Sequence, residues 1–392
     1  MSDQPAGPRV GPNAEIVVDV AAIRHNVRVL RELTGVPIIA VVKADGYGHG
    51  MLAAARAVRE AGAEWIGVAT VDEALQLRDA GYSGPLLCWL TLPGTDYERP
   101  VAEGVDLSPY SVSELDAIAA AAEAAGRRAR VQIKVDTGLN RGGASRSTWA
   151  ELFARAREGE RVGSWKVTGL WSHFACSDEP DHPANDRQEQ AFRAAVALAG
   201  DCGLHPELLH LSNSAAAVLR PSARFGAVRC GIAVYGLDPA PGRTPDLGLV
   251  PAMTVRTRLA LVKDLVPGDA VSYGQRWVAD RPTTVGLVPV GYGDGVPRHA
   301  FHPGGGAEVA VRGKRRPIRG SVCMDQFMVD LGGDVAEAGD EVVLFGAGGD
   351  VPTAQDWAEA CGTINYEIVT RIGGRMTRTY VDSAGPAPEA GP

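Results

Sequence analysis

Between residues 37 and 236 the chain keeps one beat: a short β-branched run, a polar or glycine-marked break, then an alanine-rich stretch with helical spacing. The apolar runs lie at 38–43, 65–70, 86–90, 105–109, 130–136, 167–174, 207–211 and 227–235, and predict eight strands. Helices are predicted between most of them, at 51–61, 71–80, 111–125, 147–158 and 184–199. Eight strands alternating with helices over roughly 200 residues is the size and rhythm of an α/β class (β/α)8 TIM barrel. A doubly wound open sheet uses the same alternation. The count of eight favours the barrel, as do polar residues at the ends of several different strands.

Pro239-Ala-Pro-Gly-Arg-Thr-Pro245 breaks the beat and reads as a linker. Strand–turn–strand patterning follows at 254–262, 283–290, 308–311, 326–329 and 341–345, with one short helix at 354–360. The expected organisation is a flexible N-terminus at 1–13, a barrel domain at 14–240, a mostly-β C-terminal domain at 241–383 and a flexible tail at 384–392. A strand at 15–20, ahead of the barrel, is expected to join the second domain.

The formal net charge of −8 argues against a general grip on nucleic acid. The basic run 312–319 contains a turn-like Gly and a Pro, and reads as a solvated hairpin. Cysteines at 88, 176, 202, 230, 323 and 361 form no Cys-x-x-Cys pair, so neither a disulfide framework nor a zinc site is suggested. No metal site is expected. The opening residues lack a signal segment and no apolar run reaches membrane-helix length, which makes a reducing cytoplasm the expectation.

One lysine matters more than its count. Five lysines stand among 34 arginines, and Lys43 closes the run 37–42 just before Ala-Asp-Gly-Tyr-Gly-His-Gly. A lysine can lose its proton when partly buried, whereas an arginine stays charged. A neutral amine at a strand end is what a Schiff base with an aldehyde cofactor requires. A lysine that merely closes a strand at the surface would look the same.

Reading the other strand ends in order adds Tyr47, Trp89, Lys134, Asp136, Arg141, His173, Asn213, Ser214 and Arg229. This polar ring has no paired glutamates of the glycosidase kind and no cluster with metal-ligand spacing. Asn213-Ser214 begins a helix, where amide hydrogens favour an anion, and Gly231-Ile232 lies just past Arg229. No Walker-type loop is present. In the second domain, Ser272-Tyr-Gly274, Gly291-Tyr-Gly-Asp-Gly295 and Ser321-Val-Cys-Met-Asp-Gln326 are the polar clusters. By composition alone each tyrosine there is a strand aromatic, and Cys323 is a small buried hydrophobe.

Taken together, these segments resemble a known family. Val41-Val-Lys-Ala-Asp-Gly-Tyr-Gly-His-Gly50 looks like the pyridoxal-phosphate attachment motif of bacterial alanine racemases (fold type III). Lys134-Val-Asp-Thr-Gly-Leu-Asn-Arg141, Trp171-Ser-His-Phe-Ala175, Asn213-Ser214, Arg229-Cys-Gly-Ile-Ala-Val-Tyr-Gly236, the three second-domain clusters and Thr363-Ile-Asn-Tyr-Glu367 follow in the family's order. The resemblance runs from about residue 14 to 382.

It implies pyridoxal 5'-phosphate as cofactor, alanine as substrate and a head-to-tail homodimer whose active sites are shared between subunits. Lys43 would hold the cofactor and act as a base on one face of the α-carbon; Tyr273, from the partner subunit, would act on the other. His173 would assist that tyrosine, and Arg229 would face the cofactor's pyridine nitrogen. Tyr47, Ser214, Gly231, Ile232 and Tyr366 match phosphate-holding positions, with Asn213 beside them. Arg141 matches the residue that bonds the cofactor's phenolic oxygen and the substrate carboxylate, helped by the backbone of Met324. Cys323 and Asp325 flank that methionine as substrate-side residues, and Tyr292 and Tyr366 match the pair that narrows the channel. Lys134 matches a position that is carboxylated in some members. The implied role is D-alanine supply for peptidoglycan and cell-wall biogenesis.

Two departures bear on substrate range. Gly293 stands where the family more usually has alanine, and Trp89 where many members carry something smaller. A broader serine/alanine racemase is therefore one alternative reading. A non-catalytic pyridoxal-phosphate carrier is another, but such carriers resemble the barrel alone and lack a counterpart of Tyr273.

Overall fold

The computed structural model describes residues 13–383; the expected loose ends at 1–13 and 384–392 lie outside them, except for Asn13. The chain divides into two compact units, Ala22–Val250, and the residues up to Ala21 with those from Pro251 onward.

The strands of the first part of the chain are β1 (Ala14–Asp19), β2 (Ile38–Val41), β3 (Trp65–Thr70), β4 (Leu86–Leu90), β5 (Asp106–Leu107), β6 (Ala129–Lys134), β7 (Trp165–Trp171), β8 (Leu208–His210) and β9 (Val228–Cys230). β2 to β9 form one eight-stranded parallel sheet in the order β8-β7-β6-β5-β4-β3-β2-β9. Ile39 pairs with both Trp65 and Arg229, and a parallel bridge between His210 and Ala227 brings β8 against the approach to β9. The sheet therefore closes into a barrel. All four residues of β2 are buried, as a strand covered on both faces must be.

Helix starts carry the chemistry that such starts need. Thr70 and Glu73 form a capping box for Val71–Asp79, and Ser111 accepts from the Glu114 N–H ahead of Val112–Ala124. A 15-residue helix, Val20–Thr34, was not anticipated. Ile23, Val27 and Leu30 share its buried face with Asn26, whose amide bonds the carbonyls of Val234 and Val250 and accepts the Val250 N–H.

Several strands are shorter than their apolar runs. β5 keeps two residues of 105–109, where Pro109 has no N–H for a ladder. β9 stops at Cys230, and Ile232–Tyr235 coils into a one-turn helix instead of continuing to 235.

The other unit holds a nine-stranded sheet in the order 261–265, 283–288, 327–332, 314–319, 308–311, 341–345, 253–258, β1 and 377–381. β1 runs antiparallel to Met253–Arg258 and parallel to Thr377–Val381. The run expected as one strand over 254–262 is two, Met253–Arg258 and Leu261–Leu265. The basic run is a hairpin: Val311 pairs with Lys314 across Arg312 and Gly313, whose φ values of 51° and 73° make a two-residue turn of the primed kind. Its cations are matched, with Lys314 at 2.9 Å from Asp334 and Arg315 at 2.9 Å from Asp356. Strand Thr377–Val381 and helix Asn365–Arg371 were not anticipated.

Candidate functional site

The barrel's polar ring is built at the strand ends. β2 ends at Val41, and Lys43 opens a short helical turn, Lys43–Tyr47, where the sequence pattern carries the strand on to residue 43. Ala44, Asp45, Gly46 and Tyr47 all have φ between 51° and 64°, the left-handed region. Three of these are not glycine, at roughly 1–2 kcal/mol each. Fixed partners offset that cost. Gly46 and Gly48 donate to the carbonyls of Val42 and Ala44 at 2.8 and 3.0 Å, and Asp45 Oδ1 accepts the Met51 N–H at 2.8 Å. Glu73 accepts the Ala44 N–H at 2.7 Å on one oxygen and the Ala69 N–H at 2.8 Å on the other. The turn that carries Lys43 is thus tied to the start of the next helix.

Burial holds the Lys43 ammonium below its ordinary pKa, the charge of Arg141 adds to this, and Glu73 opposes it. The Nζ lies 5.9 Å from the ring centroids of both Tyr47 and Trp89. Tyr47 is buried, its ring 5.2 Å from that of Tyr235, and burial pushes its hydroxyl pKa up. Tyr235 in turn donates to the Val41 carbonyl at 3.1 Å.

Lys134 closes β6 as a buried residue, its amine 4.7 Å from the Trp171 ring centroid. Burial, then the charges of Arg229 and Arg141, lower its pKa to about 8. Asp136 opposes that shift from the half-buried start of the loop that carries the exposed Arg141.

Arg229 is buried on β9 and both terminal nitrogens are engaged. One donates to His210 Nδ1 at 2.9 Å and to the His210 carbonyl at 3.1 Å. The other donates to the carbonyls of Ser172 and Leu211 at 2.7 and 2.9 Å, and to His173 Nδ1 at 3.1 Å. Burial lowers the guanidinium pKa to about 9, which leaves it a cation at neutral pH. Burial and then Arg229 push the His173 pKa well below its ordinary value, so the ring is neutral.

Past Arg229, Ser214 Oγ accepts the Gly231 N–H at 2.9 Å. Asn213 is committed to capping: its Oδ1 accepts from the Ala216 N–H at 3.0 Å and from Ser177 Oγ at 2.9 Å. Ile232 opens its one-turn helix, so its N–H has no partner within the turn. A side chain at Gly231 would collide with the Tyr47 hydroxyl.

In the β-rich unit three loops meet. Ser272, at φ 64°, donates to the Ser321 carbonyl at 2.6 Å, and Ser321 Oγ donates to the Tyr273 carbonyl at 2.9 Å. Cys323 Sγ lies 3.3 Å from Ser272 Oγ. The Tyr292 and Gly293 N–H groups donate to the carbonyls of Cys323 and Met324 at 3.0 and 2.9 Å. Arg375 clamps the result, reaching buried Asp294 through two bonds of 2.8 Å and Asp325 at 2.7 Å. The Tyr273, Tyr292 and Met324 side chains remain exposed, while Tyr366 is half-buried on helix Asn365–Arg371.

The comparisons with known proteins decide the family. Residues 18–239 match the family described as Alanine racemase, N-terminal domain, and 252–380 match Alanine racemase, C-terminal domain. The alanine racemase of Thermobifida fusca (strain YX) is 50% identical over 369 residues, covering 94% of this chain and 98% of the relative. That of Streptomyces coelicolor is 50% identical over 378 residues, covering 94% and 96%. The crystal structure of alanine racemase from D-cycloserine producing Streptomyces lavendulae superposes with a TM-score of 0.93 at 48% identity, covering 96% of this chain and 99% of that one.

The chain belongs to the alanine racemase family. It is an isomerase with the barrel and mostly-β domain that its sequence predicts.

Within this alanine racemase fold, Lys43, Tyr47, Lys134, His173, Asn213, Ser214, Arg229, Gly231 and Ile232 belong to the barrel unit, with Arg141 on its loop. Tyr273, Tyr292, Cys323, Met324, Asp325 and Tyr366 belong to the other. Sequence reasoning missed Glu73, His210 and Arg375. A histidine inside the apolar run 207–211 was the available signal for His210; Glu73 and Arg375 act through contacts that local pattern does not carry.

Proposed function

We propose that this chain interconverts L-alanine and D-alanine with pyridoxal 5'-phosphate bound in the barrel, working from both faces of the α-carbon. The single observation that carries the reading is a pair of unlike cations: the half-buried amine of Lys43 with a depressed pKa, and the buried Arg229 fixed by five hydrogen bonds.

The residues suit the group. Hydroxyls of Tyr47 and Ser214 and the Ile232 N–H are donors with no carboxylate among them, as a phosphate needs. Three barrel cations, Lys43, Lys134 and Arg229, are buried or half-buried, with Arg141 exposed beside them, and an anionic ligand relieves that excess. Tyr366 completes the phosphate set in this reading. When bound, pyridoxal phosphate supplies an electron sink conjugated to the substrate's α-carbon and acidifies its C–H bond.

Lys43 Nζ would hold the group at rest. Once released, it removes or returns the α-proton on the face that belongs to D-alanine. Tyr273 Oη of a second copy does so on the face of L-alanine. Two groups are needed, because one base returning its own proton mostly regenerates the starting hand. Arg229 keeps its Nε as the donor that its five contacts leave unused, and it would serve the cofactor's ring nitrogen. A guanidinium does not hand over that proton at neutral pH.

Arg141 and the Met324 backbone of a second copy hold the substrate carboxylate, with Cys323 and Asp325 of that copy beside them, and Tyr292 and Tyr366 narrow the entrance to a methyl-sized side chain. Lys134 reacts with carbon dioxide: its neutral amine becomes a carbamate and releases one proton. That replaces a disfavoured buried cation with an anion beside Arg141. The active assembly is a homodimer in the cytoplasm, where six unpaired thiols are at home.

The test is direct. Circular dichroism should follow racemisation of L-alanine, with L-serine much slower, and borohydride should fix the cofactor to Lys43. Labelling elsewhere, or no racemisation by cofactor-loaded protein, would refute the reading.

A further inference from the structure

A chain of buried polar groups leads from Arg229 down the inside of the barrel. His210 Nε2 lies 2.8 Å from Gln132 Oε1, and Gln132 Nε2 donates to Asp106 Oδ1 at 3.2 Å. Asp106 also accepts from Arg130 Nε at 2.7 Å and from the Thr168 hydroxyl. Asp106, Gln132 and His210 have no exposed surface at all. The Trp171 ring stacks on His210 at 5.5 Å with 9° between planes, and its N–H donates to Ser108 at 2.6 Å. A barrel interior is ordinarily filled with layers of branched aliphatics. An ion pair and two amide or imidazole groups there stabilise less than apolar packing of the same volume.

The direction of every bond is forced. Asp106, paired with Arg130, only accepts, so Gln132 must present its amide nitrogen and turn its oxygen to His210. His210 must then carry its hydrogen on Nε2, which leaves Nδ1 as the acceptor that Arg229 requires. We propose that Asp106 and Gln132 are positioning residues for the reaction, which hold His210 in one tautomer and thereby hold Arg229 in its catalytic orientation from four and three strands away. The proposal rests on the reading of Arg229 as the partner of the cofactor's ring nitrogen.

The test uses the cofactor-loaded enzyme with 15N-labelled histidine. His210 should be the Nε2–H tautomer. Asp106→Asn lets the chain of bonds reverse, since its amide can donate where the carboxylate could not. Gln132→Met cuts the chain and leaves the Asp106–Arg130 pair in place. Each should move the His210 ring shifts and lower kcat about ten-fold, with KM for alanine within about two-fold. The double variant should be no worse than the poorer single one, because both break one relay. An Nδ1–H tautomer in the parent, unmoved His210 shifts in either variant that folds, or losses that multiply would overturn the proposal. Should neither variant fold, the network is structural and the proposal also falls. A parent enzyme that fails to racemise alanine would instead refute the reading of Arg229, and the His210 shifts would still report on the relay.

Discussion

Arg229 donates to Nδ1 of His173 at 3.1 Å, and that one bond decides what the histidine can do. With Nδ1 accepting, a neutral His173 carries its hydrogen on Nε2. It cannot take a proton from a phenol without becoming a second cation against Arg229, and its pKa is already pushed well down. In the proposed reaction it therefore serves Tyr273 of a second copy by donating a hydrogen bond to the phenolate oxygen.

Such a donor stabilises the charged phenolate. In the proposed reaction L-alanine gives its α-proton to that phenolate. Removing the donor in His173→Leu should therefore make the proton transfer at Tyr273 limit the rate more than in the parent. α-Deuterated L-alanine should then show a larger isotope effect on kcat/KM than in the parent, and α-deuterated D-alanine a smaller one. Isotope effects measured from both hands check this; equal changes would place His173 on neither side in particular.

Lys134 gives a stability test with a definite sign. A free amine whose pKa falls to about 8 on folding penalises the fold below that pH, and the penalty fades between 8 and the ordinary 10.5. Lys134→Met would then raise Tm at pH 7 and have little effect near pH 10.5. The carbamate reading predicts the reverse: Lys134→Met lowers Tm at pH 7 in bicarbonate buffer. It also predicts that Lys134→Ala loses about ten- to a hundred-fold in activity and regains part of it with acetate.

Gly231→Ala places a methyl group against the Tyr47 hydroxyl, which must swing away. At Gly231 φ is −107° and ψ −92°, beyond the helical region in ψ, so the backbone must also turn by roughly 20° to take alanine. The variant should fold normally and bind pyridoxal phosphate at least about ten-fold more weakly, a loss of about 1.4 kcal/mol. Equilibrium dialysis measures it. Unchanged affinity would remove Tyr47 and Gly231 from the phosphate site.

The alternation of apolar runs and alanine-rich stretches carried the barrel, because parallel strands buried on both faces leave unbroken β-branched segments. Turn chemistry carried the basic hairpin through Gly313. What local pattern could not carry was conformation set from a distance. The left-handed turn at Lys43 depends on Glu73, 29 residues on, and on Asp45 reaching the Met51 N–H. His210, Gln132 and Asp106 meet only because β8, β6 and β5 line one closed barrel, with β7 between the first two. The helix Val20–Thr34 went unread because a buried asparagine interrupts its apolar face. Residue roles came mostly from family resemblance, not from spacing.

Incubating the Tyr273→Phe variant with D-alanine in deuterium oxide tests the two-faced reaction most directly. Lys43 alone should still exchange the α-hydrogen, so deuterium should enter D-alanine while L-alanine forms at least about a thousand-fold more slowly than in the parent. Racemisation at the parent's rate, or deuterium appearing equally in both hands, would contradict a second base at position 273.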